Sequence, residues 1–533
     1  MLSGCCQQRD GFTTYCECLD KSLLMKLLQP AYRRFVALTC AWLLMSLAGC
    51  AFRTVHRFNP PAETLPFSES GSAIMPDRWW VEFGDEALNY HIERALGENF
   101  DLAAALHRLR AARAFARREA SDLFPDLDGV LGFDTTFGPG PNRKLIRSGL
   151  DASYQVDLWG QIESRVDAER FRADATEADY NAVALTLAAE VARTWFSLIE
   201  SHAQIELLNQ QLQSNRDGLR AQEASFRIQG GGPDVLRQRQ LVQSTLEQIV
   251  IVQSRIAVLE HQLATLTGQL PQSASFDPGT SLPELPPAPY TGLPLELVQR
   301  RPDVRSDYLA FVAADRDLAS AVTAQYPRLS IGGALVNSAT SSDNLLRDWF
   351  LSIGSQLIAP LFDGGERRAE VDRNAALVSQ RFSEFRQSTL IAFQEVEDSL
   401  ALEYFQIQRI ERLNEQVELA SQSTEQLRLG YFLTPDTNFL DYLSATQSQQ
   451  RLQREILSAR LDLVLIRVGL YLALAGDFDT RPQLVADSPF GNEVVVTTSE
   501  EVATERLDPP EAESDTQDLP SPPIERLPPV EPD

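Results

Sequence analysis

Two stretches of this chain lack the residues that end helices. Between Gln161 and Phe226 there is no proline and a single glycine, and residues 366–429 contain neither. At about 1.5 Å of rise per residue, each stretch predicts a rod of about 95–100 Å, several times the usual helix length. The apolar residues say what such rods pack against. Val191, Leu198, Ile205, Leu212 and Leu219 recur every seven residues. Beyond "GGGP" at 230–233, Ile249, Val252, Ile256, Leu259, Leu263 and Leu266 step by three and four, as do Ile456, Ala459, Leu463, Ile466, Leu470 and Ala473. Narrow seams of this spacing hold helices side by side as coiled coils. The faces between them are rich in Gln, Arg, Glu and Ser, which suit water. The pattern predicts walls or rods, not a compact globule.

The rods belong to a duplication. "LFPDL" at 123–127 returns as "QYPRL" at 325–329, an offset of 202 that also carries Asp101-Leu102 onto Asp303-Val304. "LWGQIESRVDAER" returns as "LFDGGERRAEVDR", and with Gly160 on Gly365 the offset of 205 carries Glu190-Val191 onto Glu395-Val396. One unit spans 85–270 and the other 292–478. The segment between them, 271–291, has too many prolines for a regular helix. Each unit reads as a helix of about 35 residues, two strands, a very long helix and a shorter one. The first helix stops ahead of Pro125, and its counterpart ahead of Pro327. Strands are expected at about 127–137 and 148–158, and at about 328–337 and 349–359.

In "SGLDASYQVDLW", Leu150, Ala152, Tyr154, Val156 and Leu158 fall on one face, and Gly149, Asp151, Ser153, Gln155 and Asp157 on the other. Trp349, Leu351, Ile353, Leu357 and Ala359 alternate in the same way with Phe350, Ser352, Gly354, Gln356 and Ile358. Period two predicts a strand with one apolar face. Both a soluble half-buried hairpin and a piece of a membrane barrel have that pattern.

A formal net charge of −26 repels phosphates and argues against a nucleic-acid partner. Part of that charge sits in a tail. Residues 482–533 hold 13 acidic residues and two arginines among many prolines, so 479–533 is expected to be disordered. No stretch after Cys50 reaches the roughly 20 apolar residues of a spanning helix, so any crossing of a bilayer must use strands. His56, His91, His107, His202 and His261 show no metal spacing, and "GGGP" lacks the Lys-Ser/Thr of a phosphate loop. No metal, cofactor or catalytic centre is expected, and the chain does not read as an enzyme.

All six cysteines lie at or before Cys50: Cys5, Cys6, Cys16, Cys18, Cys40 and Cys50 itself. Met25-Lys26, Arg33 and Arg34 precede the apolar run "FVALTCAWLLMSLAG", so 1–49 reads as a secretory signal whose real start is Met25. "LAGC" at 47–50 resembles the lipobox of bacterial lipoproteins, in which the cysteine becomes the acylated N-terminus. On that resemblance Cys50 is lipidated, 50–84 is a tethered leading segment, and Ala51 favours the outer membrane. An ordinary secretory signal ending in a chance cysteine, or a buried N-terminal helix, is the alternative.

Several motifs now stand in order within the duplicated frame. They are "WWVEFGDEALNYHIERAL" and "NFDLAAA" in the first unit, "RRPDVR" at 300–305 in the second, and "DLWG" and "PLFDGG" where strands run into helices. Over 60–478 the chain resembles the TolC-like outer membrane efflux proteins, in the lipoprotein branch that serves resistance-nodulation-division pumps. The resemblance implies a mostly α fold with a membrane β-barrel portion. Three copies would each give four strands to one shared 12-stranded barrel, and their helices to a tubular α-barrel in the periplasm. Backbone in lipid must be satisfied by a closed barrel, and four strands cannot close alone.

It further implies a passive exit duct for small molecules, served by a periplasmic adaptor and an inner-membrane pump. Asp151, Ser153, Gln155 and Asp157 would face the barrel lumen. The turns "RIQGGGPDV" (227–235) and "RLGYFLTPDTNFLD" (428–441) would form the periplasmic tip. "PDTNFL" stands where the family has Gly-x-x-Asp-x-Tyr-Leu, with an insertion of about two residues, so Asp436 carries over as an acidic gate residue. Asp441 and Asp234 are further gate candidates, and Arg227 and Arg428 are candidate clamps. Local roles compete with these. An Asp after Pro caps a following helix, and an Arg at a helix end answers the dipole. A duct for type I protein secretion and a pore-free periplasmic coiled-coil lipoprotein are the rival readings, and the lipobox weighs against the first.

Overall fold

The structure, a computed structural model, describes residues 66–478 apart from 75, 138, 140–142, 230–231, 293, 341–346, 434–437 and 477. The first unit opens with a 3-10 turn at Trp79–Phe83, followed by α1 (Glu86–Glu98) and α2 (Phe100–Ala120). These two replace the single helix expected there. Asn99 between them is extended, and its Oδ1 accepts from the Asp101 and Leu102 amides at 2.9 and 3.0 Å. The apolar periodicity runs through the break, but a buried Asn offers the backbone a cap in place of helix. Its Nδ2 donates to the Leu266 carbonyl at 3.0 Å, tying the opening of the unit to its end.

Phe124 is extended ahead of Pro125, as the proline ring requires. Then come β1 (Asp126–Thr136), β2 (Arg143–Val156), α3 (Gln161–Gln229) and α4 (Gly232–Leu266). The second unit repeats the order with α5 (Pro294–Arg300), α6 (Pro302–Thr323), β3 (Arg328–Ala339), β4 (Trp349–Ile358), α7 (Glu366–Leu433) and α8 (Phe439–Leu474). With 69 and 68 residues, α3 and α7 are rods of about 100 Å.

β2 begins earlier than the expected 148 and stops at Val156, short of 158. Its end is set by Asp157, whose carboxylate leaves the strand pattern to cap α3. Oδ1 accepts from the Gln161 amide at 2.7 Å, and Oδ2 from the Glu163 amide at 2.8 Å. In the second unit Asp363 does the same, taking the Gly365 amide at 3.0 Å and the Arg367 guanidinium at 2.8 Å.

The helices share a core where the rods meet the opening elements. Trp79, Trp80, Phe83, Trp195, Phe196 and Tyr471 are buried together, with Trp79 stacked on Tyr471 at 5.7 Å between centroids. Each such ring removes roughly 150–250 Å² from water, on the order of 4–6 kcal/mol before the entropy of ordering is subtracted. One window of α3 is apolar and long enough to cross a bilayer by composition, but it is mostly buried in the protein. Away from this core the seams are narrow. Leu208 and Leu212 meet Val242 and Ile249 between α3 and α4, and Leu413 meets Leu452, Ile456 and Ala459 between α7 and α8. Near its C-terminus α8 contributes to two cores at once, so Val464, Arg467, Val468 and Tyr471 are buried while Leu463 and Ile466 of the expected seam are half-buried.

Two buried guanidinium groups pin the second unit. Arg301 of "RRPDVR" grips Asp303 with two nitrogens and reaches Glu395 on α7 at 2.7 Å. Arg467 makes a paired contact with Glu403 at 2.8 and 2.6 Å and donates to the carbonyls of Pro286 and Pro287 in the inter-unit segment. That segment also holds the N-terminal strap. The Gly71 amide donates to the Pro289 carbonyl at 3.0 Å, and Ser68 binds both carboxylate oxygens of Glu397. A Cβ on Gly71 would lie 1.9 Å from the Ala288 carbonyl oxygen, so no other residue fits there.

The strands form one antiparallel sheet in the order β1-β2-β3-β4, so β1 and β4 are its edges. Leu150 pairs with Leu335, Tyr154 with Ile331 and Leu335 with Leu351, and cross-strand partners share a face. One face therefore carries Leu131, Phe133, Leu150, Tyr154, Ile331, Leu351 and Ile353, and several of these are exposed.

Candidate functional site

The opposite face of the sheet is mainly polar, with Val130, Val336, Phe350 and Ile358 also on it. Asp151 stands directly across from Asp128, Ser153 from Asp126, and Gln155 from Ser330, which in turn faces Gln356. Three of the four expected lumen residues, Asp151, Ser153 and Gln155, thus lie on one surface with the acidic residues of β1. The fourth, Asp157, lies past the strand with both carboxylate oxygens occupied as the α3 cap. Like charges facing across a ladder destabilise it unless water screens them. A two-faced sheet of this kind suits a wall with lipid on one side and water on the other.

The far ends of the rods form the second candidate region. Asp436, the first gate candidate, and Cys50, the lipidation candidate, lie outside the described residues. Asp234 is held by Arg237 one turn along α4 at 2.8 Å. Arg428 grips Glu425 on its own helix through Nε and Nη2, both at 2.7 Å. Hydrogen bonding from Arg428 lowers the Glu425 pKa, and Glu425 in turn raises that of Arg428. Arg227 in the last turn of α3 and Asp441 in the first turn of α8 are exposed and make no ion pair among the described residues. The cap of α8 is Asn438, whose side chain accepts from the Leu440 amide. The structure thus has Asp234, Arg227, Arg428 and Asp441 near the ends of their helices without joining them to one another.

Other residues join the helices there. Tyr431 and Tyr442 stack at 6.2 Å, Phe439 and Leu443 pack with Leu241 of α4, and the Tyr431 hydroxyl donates to Gln222 Oε1 at 3.0 Å. From Gln222 a ladder of buried amides runs up the α3–α8 seam. Gln238 donates to the Asn215 carbonyl, Asn215 to Thr245 and Gln450, and Gln211 to the Gln450 carbonyl and to Gln453. Arg454 donates to Gln211, Gln204 to the Arg454 carbonyl, and Ser458 to the buried Glu200. Sequence reasoning assigned such residues to faces suited to water. The signal that finds them is spacing, for Gln204, Gln211, Asn215 and Gln222 step by seven, four and seven, parallel to the apolar heptad. Within each helix pair the seam is largely apolar, with Asn215, Gln238 and Thr245 as polar exceptions between α3 and α4, while part of the α3–α8 seam is a run of hydrogen-bonded polar side chains. No group of three His, Cys, Asp or Glu among the described residues could hold a metal ion.

A family model described as outer membrane efflux protein matches residues 91–269 and 293–476. The pyoverdine export outer membrane protein OpmQ of Pseudomonas aeruginosa is 28% identical over 431 residues, covering 77% of this chain and 89% of that protein. The cation efflux system protein CusC of Escherichia coli K12 is 26% identical over 459 residues, covering 81% and 97%. Among solved structures, the outer-membrane channel OprN superimposes with a TM-score of 0.75 at 25% identity, over 80% of this chain and 99% of that one. The CmeC outer membrane channel of Campylobacter jejuni has the same fold, with a TM-score of 0.72 at 21% identity over 80% and 95%.

Proposed function

Because the chain belongs to the outer membrane efflux protein family, we propose that it is the outer membrane duct of a tripartite efflux system, a passive exit for small molecules. The observation that carries the reading is the sheet. It has an exposed apolar face, a mainly polar opposite face with acidic residues on β1 and β2, and no ladder partner on either edge among the described residues. A single such sheet in lipid would leave the N–H and C=O groups of β1 and β4 unsatisfied at several kcal/mol each. Three copies close it into one 12-stranded barrel, with β4 of each copy beside β1 of the next. Asp151, Ser153 and Gln155, joined by Asp126 and Asp128, then face an aqueous lumen.

The rods continue the duct through the periplasm, and their far ends meet the adaptor and the inner-membrane pump. Asp436, Asp441 and Asp234 supply carboxylates, and Arg227 and Arg428 guanidinium groups, to a constriction repeated threefold. An acyl chain on Cys50 anchors each copy beside the barrel. The chain contributes no chemistry of its own, and the energy comes from the pump.

Reconstitution tests the reading. The membrane-extracted protein should run as a trimer by native mass spectrometry and give stepwise, cation-selective currents in a planar bilayer. A monomer, or a trimer that never conducts, would overturn it.

A further inference from the structure

The duplication allows a contact seen within the chain to be transferred to the contact between chains. Where β2 leaves the sheet for α3, the ring of Trp159 leans on Tyr326 at 5.2 Å between centroids and its Nε1 donates to the Pro327 carbonyl at 2.8 Å. This joins the exit of one strand to the entry of its neighbour, just below the last ladder pair, Val156 with Leu329. With Asp363-Gly364 as a two-residue insertion ahead of Gly365, Leu158-Trp159 corresponds in the repeat to Leu361-Phe362, and Tyr326-Pro327 to Phe124-Pro125. The corresponding residues sit at the exit of β4 and the entry of β1, which are the two edges of the sheet. They are bare: Phe362 is 94% exposed, Leu361 95% and Phe124 68%.

We propose that Phe362, with Leu361, seats on Phe124 and Pro125 of the next copy, forming an apolar clasp at each of the three joints where barrel becomes helix. The inference deepens the shared-barrel reading and rests on it. Phenylalanine lacks the indole N–H, so the clasp between chains has no counterpart to the Trp159 hydrogen bond and is held by apolar contact alone.

The same correspondence yields a register for the joint. Carrying the β2–β3 pairing onto β4 and the next copy's β1 places Ile353 opposite Phe133 and Ser355 opposite Leu131 on one face. It places Ser352 opposite Asp134 and Gln356 opposite Val130 on the other. Every residue of the apolar face of β4 meets one of the apolar face of β1. A slip of one residue would set each against the wrong face.

Two double variants of the full chain test this in membranes. Phe133→Cys with Ile353→Cys reports the strand pairing by disulfide formation, and Phe124→Cys with Phe362→Cys reports the clasp through a short thiol-to-thiol cross-linker. Within one chain β1 and β4 are three strand spacings apart, about 14 Å, too far for either bridge, so any link joins copies. Covalent trimers from both pairs on a denaturing gel, with none from the single-cysteine controls, are the expected result. A trimer that links through 133 and 353 but not through 124 and 362 overturns the clasp and leaves the duct standing. A trimer with neither link overturns the clasp and the transferred register. A monomer overturns the duct itself, and the clasp with it.

Discussion

Asn215 and Gln450 exchange amide hydrogen bonds across the seam between the helix pairs: Gln450 Nε2 donates to Asn215 Oδ1 at 2.8 Å, and Asn215 Nδ2 donates to Gln450 Oε1 at 3.2 Å. Both residues are buried, so each is satisfied by the other and by neighbours on the same ladder, without water. A seam built this way costs little to hold and much to half-break.

Asn215→Ala leaves the Gln450 amide buried and short of a partner. The expected loss is about 1–3 kcal/mol, read as a lower denaturant midpoint. Replacing both residues by Leu removes both demands and should recover most of the loss. A double variant no better than the sum of the singles would show that the two amides do not act as a pair.

Arg467 is a harsher case. Burial pulls its pKa down, the bonds and charge of Glu403 outweigh that, and the group is held above its ordinary value. With side chains only 4% and 13% exposed, neither partner has water to fall back on. Arg467→Met should cost about 3–5 kcal/mol and free the segment at Pro286 and Pro287, so limited proteolysis within 271–291 should speed up. An unchanged cleavage rate would mean that other contacts hold the segment.

The Arg301–Asp303 grip makes a pH prediction. Burial pushes the Asp303 pKa up, the hydrogen bonds and charge of Arg301 push it further down, and the net shift is downward. The folded chain therefore binds this proton more weakly than the unfolded chain does. Its contribution to stability is present above the ordinary carboxylate range, near pH 4, and is lost as pH falls through the lowered value. Over that acid window the wild type should lose stability more steeply than Asp303→Asn, measured by urea midpoints at stepped pH. Parallel slopes would remove Asp303 from the acid response.

Orientation can be read chemically. Lys21, Lys26 and Lys144 are the only lysines of the sequence, and Lys144 is exposed near the hairpin end of β2, away from the helices. An amine-reactive reagent that cannot cross the outer membrane should label the protein on intact cells, and Lys144→Arg should abolish the label. Labelling that requires a broken outer membrane would place that end in the periplasm.

For the constriction, Asp436→Asn should reduce cation selectivity or ease opening. Current–voltage curves of reconstituted channels report both, and unchanged curves would remove Asp436 from the gate.

The rods and the strands were legible because their signals are local: absent helix breakers and a period of two need no knowledge of neighbours. What escaped depends on who stands opposite. Asn99 sits within an unbroken apolar rhythm, and only its buried side chain reveals the cap. Asp157 continues the polar alternation of β2 in sequence, yet it belongs to the start of α3. Gln204, Gln211 and Gln450 have the same composition as solvated glutamines, and only the packing of one helix pair on the other turns them inward. Position in the sequence alone marks the tip candidates, and Asp234 and Arg428 already have partners on their own helices.

The strap near the N-terminus has a consequence for the order of events during export. Ser68 closes onto Glu397, a residue that emerges 329 positions later, and Gly71 has its slot only once Ala288 and Pro289 exist. The strap is thus seated only after the inter-unit segment and much of α7 have followed it. In a chain that emerges N-terminus first, all of the first unit and more than half of the second precede the closing of this contact.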